Sequence, residues 1–218
     1  SGRAIDVNVA ALTRSKRVHV EVRAPGERTL DGEDIGTLRL GAIETEAQRC
    51  LDCGCVAVNA SDLAAALLAV DARVRTTTRT LPAEDFFAAG VMSSTVLAPG
   101  ELVTEILLPE PPPGTVSGYQ KFRIRGSIDF PIVGVATSLT FDDGKIAAAK
   151  VALGAVAPKP LRVRDVEKFL VGRTPDEETA DVAGILAVKN AQPLAGNEFK
   201  LQIVKALLKK AILAAARR

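Results

Sequence analysis

The chain has 218 residues with 28 basic and 26 acidic side chains, which leaves a formal net charge of +2. Hydrophobic residues make up 47% and charged residues 25%, a balance that excludes an intrinsically disordered chain. The near-neutral charge argues against a nucleic-acid-binding protein, and no apolar run approaches the roughly 20 residues that a membrane-spanning helix needs. We therefore expect one domain or two small ones, without nucleic acid or a membrane as partner.

Residues 1–44 are interpreted as a junction with a single strand. Valines alternate with polar residues over 16–23, which predicts a strand that carries His19 on its polar face. Only this histidine could serve a catalytic triad, and a solvated histidine is the simpler interpretation. Because the only methionine is Met92, the chain does not begin with one, and we expect it to be part of a longer polypeptide.

A cluster of cysteines follows the junction. Cys50, Cys53 and Cys55 are the only cysteines of the chain, and their close spacing is a poor framework for disulfides, which favours the reducing cytoplasm. Three interpretations stay open. In the first, the cysteines are three ligands of an iron–sulphur cluster or zinc ion whose fourth ligand comes from elsewhere. In the second, Cys50 and Cys53 are a redox pair, and in the third the cysteines are reduced thiols packed near the start of a helix.

Residues 45–113 contain the next group of predicted elements. Ser61 is placed as the N-cap of an apolar helix that ends near Val70, and Asp62 lies near the positive end of its dipole. A β-branched strand, a short helix with proline in its first turn and a further strand follow, over 73–80, 81–87 and 102–108. The proline run 109–113 then predicts an extended connector and a subdomain boundary.

The last part, residues 114–218, changes from strands to helices. Strands are predicted over 118–125, 132–141 and 145–153, and Asp142-Asp143-Gly144 is typical of a hairpin turn between the last two. A helix with a capping box at Thr174 is expected to run to about Asn190. The final helix, from about Glu198 to Ala215, has one apolar face. Strands followed by helices predict an α+β fold.

Several segments in order resemble the flavin-binding medium subunit of the xanthine dehydrogenase and carbon monoxide dehydrogenase family, also called molybdenum hydroxylases. The similar segments are Ala60-Ser61-Asp62-Leu63, Ala66–Ala72, Asp85-Phe86-Phe87, Thr95–Ile106, Lys121-Phe122-Arg123 and Ala152–Pro158. The resemblance implies the end of a central α/β flavin-binding subdomain, followed by a small antiparallel sheet packed on a helix bundle. It also implies the cofactor FAD and other domains or subunits of a redox complex as partners.

The family pattern carries over to individual positions of this chain. It implies FAD contacts at Ser61 and Asp62, a lysine near the flavin ring at Lys121, an apolar residue near the ring at Val103, and a loop residue beside the ring at Asp129. A cation beside the ring stabilises negative charge on the reduced flavin. Each position also has a plain structural interpretation: a helix cap, a solvated lysine, a core valine and a turn residue. No side chain is predicted to be a general base or nucleophile.

The chain departs from the family pattern ahead of Ser61. The glycine-rich phosphate loops are missing, and Gly54 within the cysteine segment is the only glycine left in that region. The segment from Glu46 to Cys53 resembles the start of the iron–sulphur segment in the small subunit of glutamate synthase and related NAD(P)H oxidoreductases. This second resemblance implies that the longer polypeptide joins a pyridine-nucleotide oxidoreductase module to the flavin-binding module, with the residues before about Ala24 in the junction.

Two main functions from different classes follow from the sequence, and a third interpretation is an iron–sulphur electron-transfer element centred on the three cysteines. The first is a part of an FAD-dependent oxidoreductase that passes electrons from iron–sulphur centres to an acceptor such as NAD(P), with little activity from this chain alone. The second is a non-catalytic assembly module that keeps the fold and docks parts of a redox complex without binding flavin. Asp62 and Lys121 favour the first, and the altered segment that contains the cysteines favours the second.

Overall fold

A computed structural model describes residues 62–90, 93–125 and 130–217. All of these residues except 98–102 belong to one compact unit. The predicted strand around His19 and the cysteine segment lie outside the described residues, so the predictions made for them stay predictions.

The first part of this unit is a helix followed by a small sheet. Helix α1 spans Asp62–Ala69, and helix α2 is a single turn over Ala83–Phe86. The sheet has the antiparallel strand order β2-β1-β3, and its strands are β1 (Arg73–Thr76), β2 (Thr80–Pro82) and β3 (Val103–Leu107). The helix ends at a short reversal in which Asp71 adopts a positive φ of 51°.

The single strand predicted over 73–80 is wrong, because the segment folds as a hairpin. The Thr76 hydroxyl oxygen accepts hydrogen bonds from the amides of Thr78 and Arg79, at 3.2 and 3.0 Å. A side chain that bonds to the following backbone in this way competes with the ladder of a continuous strand. The chain therefore turns at 77–79 and returns as β2, which pairs with β1.

The second sheet is antiparallel, with the strand order β4-β5-β6-β7. Its strands are β4 (Thr115–Phe122), β5 (Val133–Asp142), β6 (Lys145–Gly154) and β7 (Leu161–Arg162). The hairpin predicted at Asp142-Asp143-Gly144 is confirmed, because Asp142 pairs with Lys145 and the two residues between them have φ values of 45° and 72°. A two-residue turn of this kind needs positive φ at both central positions.

Three helices follow the second sheet. They are α3 (Arg164–Leu170), α4 (Glu177–Ala187) and α5 (Phe199–Ala216). The capping box predicted at Thr174 is wrong, because Asp176 is the N-cap and its Oδ1 accepts from the Thr179 amide at 2.8 Å. Helix α3 and strand β7 were not predicted from the sequence.

The second sheet is covered on both faces, by different kinds of residue. Valine and leucine side chains of β5 and β6 pack against α3, α4 and α5 in one core, which includes Leu139, Val151, Leu170, Leu208 and Ile212. On the opposite face the small side chains Ala136 and Ala152 belong to the same core cluster as Ala65 and Leu68 of α1. The α+β prediction is confirmed, and the small residues let α1 lie close to the sheet.

Candidate functional site

Three polar side chains converge where the start of α1 meets strand β4. The Lys121 ammonium group donates to Oδ2 of Asp62 at 2.7 Å, and the Tyr119 hydroxyl donates to Oδ1 of the same carboxylate at 3.0 Å. The three residues, here called the Asp62 cluster, are distant in sequence, since 57 positions separate Asp62 from Tyr119. Packing of α1 on the sheet brings them together.

The local structure explains why these side chains share one side of the sheet. Tyr119 and Lys121 are two positions apart on β4, so both point to the same face. Tyr119 is paired in register with Ala136, one of the small residues against which α1 packs. Asp62 is the first residue of α1, where the positive end of the helix dipole favours a carboxylate.

The Asp62 cluster is open to solvent on the side of the carboxylate. The Asp62 side chain is 44% exposed and the Lys121 side chain is 20% exposed. A lysine ammonium has three N–H donors, and a carboxylate accepts several hydrogen bonds, so both groups retain capacity for a ligand. Together they offer a cation, an acceptor for hydroxyl groups and a neighbouring phenol.

The remaining predicted site residues are placed as follows. Val103 is the first residue of β3, lies opposite Thr76 in the ladder, and is 42% exposed rather than packed in the core. Ser61, Asp129 and the three cysteines lie outside the described residues. The predicted roles of all these residues therefore stay predictions. Of the site residues predicted from the sequence, the described part of the structure brings Asp62 and Lys121 into contact.

Sequence reasoning missed Tyr119, although it is the only tyrosine of the chain. The sole sequence signal was its position two residues before Lys121, which places both on one face of a predicted strand. Burial of the phenol raises its pKa, and the hydrogen bond to the negatively charged Asp62 raises it further. Tyr119 is therefore a neutral hydrogen-bond donor over the whole physiological pH range.

A second network, at the other end of α1, was also missed. The Arg162 guanidinium donates to Glu167 through Nε and Nη2, to the carbonyl of Leu68 and to Asp71. Lys150 forms a further ion pair with Asp71. Burial alone would lower the pKa of Arg162, but the bonds from Glu167 and Asp71 outweigh it and raise the pKa. The network joins α1 to the second sheet and α3.

A separate cavity of about 470 Å³ opens between the end of β6, the start of α3 and the connection from α4 to α5. Its lining is mainly apolar and includes Val156, Leu186, Val188 and Leu201, while the residues of the Asp62 cluster do not line it. Within 62–90, 93–125 and 130–217, no group of three or more His, Cys, Asp or Glu side chains is arranged to hold a metal ion. In the same ranges no helix is both long and apolar enough to cross a membrane.

Two family models match this chain. Residues 34–111 match the model of the FAD binding domain in molybdopterin dehydrogenase, and residues 117–215 match the CO dehydrogenase flavoprotein C-terminal domain. The chain belongs to the family of FAD-binding medium subunits of xanthine dehydrogenase and carbon monoxide dehydrogenase. This confirms the family resemblance drawn from the sequence. In this medium-subunit family member, Asp62 lies in the first matched domain, and Tyr119 and Lys121 lie in the second.

Individual relatives agree with the family assignment. The chain is 34% identical over 171 residues to the FAD-binding subunit of an aldehyde oxidoreductase from Escherichia coli (strain K12), covering 75% of this chain and 50% of the relative. It is 30% identical over 138 residues to the carbon monoxide dehydrogenase medium chain of Afipia carboxidovorans, covering 62% of this chain and 47% of the relative. The chain thus spans about half the length of the curated relatives it matches.

The medium-subunit fold is also found among solved structures. The crystal structure of quinoline 2-oxidoreductase from Pseudomonas putida 86 superposes with a TM-score of 0.67 at 25% identity, covering 78% of this chain and 60% of that chain. FAD is the cofactor of the matched family, which confirms the cofactor expected from the sequence.

Proposed function

We propose that this chain supplies part of an FAD site in a molybdenum hydroxylase complex, with the Asp62 cluster in contact with the cofactor. The observation that carries the proposal is the 2.7 Å contact between Lys121 and Asp62. It joins the start of α1, in the matched FAD-binding domain, to β4 of the matched C-terminal domain. Two residues that the family resemblance assigned separately to FAD are thus in contact with each other, which supports a shared role.

The donor set of the Asp62 cluster fits the ring and polyol parts of FAD. The Lys121 ammonium is a cation with free donor capacity, and a cation beside a flavin stabilises negative charge on the ring. The exposed Asp62 carboxylate accepts hydrogen bonds from hydroxyl groups and holds the ammonium in place. When bound, FAD supplies the capacity to take up and release electrons, and the protein positions it and tunes its potential.

The other predicted contacts complete the proposal. The exposed side chain of Val103 provides an apolar surface for the ring, and Ser61 and Asp129 provide polar contacts. A domain arrangement of 1–44, 45–113 and 114–218 separates the junction, the partial FAD-binding subdomain and the C-terminal subdomain. These assignments rest on the family resemblance.

The wider role we propose is electron transfer through FAD within a complex that contains further domains or subunits. Its support is that the relatives are named as an FAD-binding subunit and a medium chain, that is, as components of larger enzymes. Four further parts of this proposal rest on the sequence resemblance and the cysteine spacing alone. They are iron–sulphur centres as the electron donor, NAD(P) as the acceptor, a cluster on Cys50, Cys53 and Cys55, and a cytoplasmic location.

The test is FAD uptake by the purified 218-residue chain. We expect flavin absorbance to be retained after unbound FAD is removed, and we expect Lys121→Met and Asp62→Asn to weaken binding at least about tenfold, the scale of one hydrogen bond to a charged group. Lys145→Met is the matched control, because this exposed lysine lies at the opposite end of the same sheet. No uptake by the unchanged chain, or equal uptake by all variants, would contradict the proposal and favour the assembly module.

A further inference from the structure

We propose that Tyr119 is a positioning residue of this site, and that Gly134 is the residue that lets Tyr119 reach Asp62. The inference rests on the proposed FAD site, since it assigns to Tyr119 the task of orienting the carboxylate that holds Lys121. Tyr119 acts through Asp62 rather than as a catalytic residue.

The Asp62 carboxylate is held at both of its oxygens. Its two oxygens have different donors: Oδ1 receives the Tyr119 hydroxyl at 3.0 Å, and Oδ2 receives the Lys121 ammonium at 2.7 Å. A carboxylate bonded through one oxygen can still rotate about its terminal torsion, which has a broad energy profile. A second donor on the other oxygen selects one orientation, and the position of the Lys121 ammonium is set with it.

Gly134 leaves space for the phenol of Tyr119. Gly134 lies on β5 opposite Lys121, next to the Tyr119 and Ala136 pair. A Cβ atom built on Gly134 would lie only 2.2 Å from the Tyr119 hydroxyl oxygen and 3.0 Å from Cζ. The phenol therefore lies directly against the bare backbone of β5, and a larger residue at 134 would require the phenol to shift from the position in which it donates to Asp62.

The protonation state of Tyr119 also fits this role. The hydroxyl must keep its proton in order to donate to a carboxylate, and both burial and the charge of Asp62 keep the pKa of Tyr119 above that of a free tyrosine. The charged group that the phenol contacts is Asp62 on α1, and the same carboxylate accepts from Lys121 on β4. The environment of Tyr119 thus maintains the donor that the arrangement requires.

The first experiment tests the hydrogen bond between Tyr119 and Asp62 without any cofactor. Since the chain has one tyrosine and no tryptophan, its phenolate absorbance reports Tyr119 alone. In a spectrophotometric pH titration, we expect the phenol to ionise above the ordinary value of about 10. In Asp62→Asn the titration should move toward that value. Circular dichroism at each pH shows whether the protein is still folded, and only the absorbance of folded protein is used in the titration. A phenol that titrates normally in both proteins would overturn the inference, whatever the result with FAD.

The second experiment measures FAD affinity in variants of the positioning pair. Tyr119→Phe removes only the hydroxyl and should weaken binding about tenfold or more. Gly134→Ala should weaken it similarly, although it alters none of the three polar side chains. Gly118→Ala is the matched control on the same sheet, because a Cβ there would meet only the Thr137 hydroxyl, at 3.9 Å.

The two proposals fail in distinguishable ways. The inference expects the double variant Asp62→Asn, Tyr119→Phe to bind FAD no more weakly than Asp62→Asn alone, since the hydroxyl acts only through the carboxylate. If Asp62→Asn weakens binding and Tyr119→Phe does not, the FAD site stands and the role of Tyr119 is wrong. If the unchanged chain takes up no FAD, the FAD site fails, and the tyrosine titration alone decides whether the geometry around Asp62 exists.

Discussion

Arg162 and Glu167 form a two-bond ion pair that is closed off from solvent. Nε donates to Oε1 at 2.6 Å and Nη2 donates to Oε2 at 2.9 Å, and the side chains are only 5% and 10% exposed. Oε1 of Glu167 also accepts from the amide of Val151 on β6 at 2.9 Å. The pair therefore links β7, α3 and β6, and through the same guanidinium it reaches the end of α1.

Removing one member of this pair should destabilise the fold strongly. Glu167→Ala leaves the buried Arg162 charge without its main partner, and we expect the free energy of unfolding to fall by about 3–5 kcal/mol. Chemical denaturation measures the change. The control is Glu84→Ala, which breaks an exposed ion pair with Arg164 and should cost less than about 1 kcal/mol. Equal losses in the two variants would contradict the buried network.

Asp71 should make the stability depend on pH at the acid end. Burial alone would raise its pKa, but hydrogen bonds from Lys150 and Arg162 together lower it. A lowered folded pKa means that the stabilisation is complete above the ordinary value of 3.8 and is lost as pH falls through the folded value. The wild type should therefore be more stable than Asp71→Asn at pH 6, and the difference should shrink below pH 4. Asparagine tolerates the positive φ at this position, so a difference that does not change with pH would refute the electrostatic explanation.

Gly184 marks the close approach of α4 and α5. A Cβ there would lie 3.2 Å from Cα and 3.3 Å from Cβ of Lys205. We expect Gly184→Leu to overpack this crossing and to lower the free energy of unfolding by about 1–3 kcal/mol. Val182→Leu, on the solvent-facing side of the same helix, should change stability by less than about 0.5 kcal/mol. Thermal denaturation of the two variants side by side tests the contact.

Asp176 should stabilise the start of α4 as its N-cap. Its carboxylate accepts the Thr179 amide, and this backbone bond lowers the pKa of Asp176. We expect Asp176→Ala to lower the melting temperature, while Asp176→Asn retains an acceptor and most of the stability. The stabilisation should disappear as pH falls through the lowered pKa, because a protonated carboxyl group is a weaker acceptor. If Asp176→Ala melts at the same temperature as the wild type, Asp176 does not stabilise the helix as its N-cap. That result would favour Thr174, the capping position expected from the sequence.

Local signals were reliable where neighbouring residues decide the conformation. The turn at Asp143-Gly144 was predicted because its backbone needs positive φ, and the final helix was predicted because its apolar side chains recur at helical spacing. The same approach failed at 73–80, where β-branched residues suggested one strand. The Thr76 hydroxyl redirects the backbone there, and β propensity does not register such a bond.

The sequence by itself determined the α+β class and, through resemblance, the family, and it predicted that Asp62 and Lys121 contact the flavin. It did not show that these two residues touch, or that Tyr119 and Gly134 belong with them, because a strand pattern records which face a residue occupies and not what packs on that face. Only the tertiary structure brings these residues together, because α1 packs on the small side chains of β5 and β6. The Arg162 network has the same origin, since its partners come from segments as far as 94 positions apart and meet only when the sheet and helices pack.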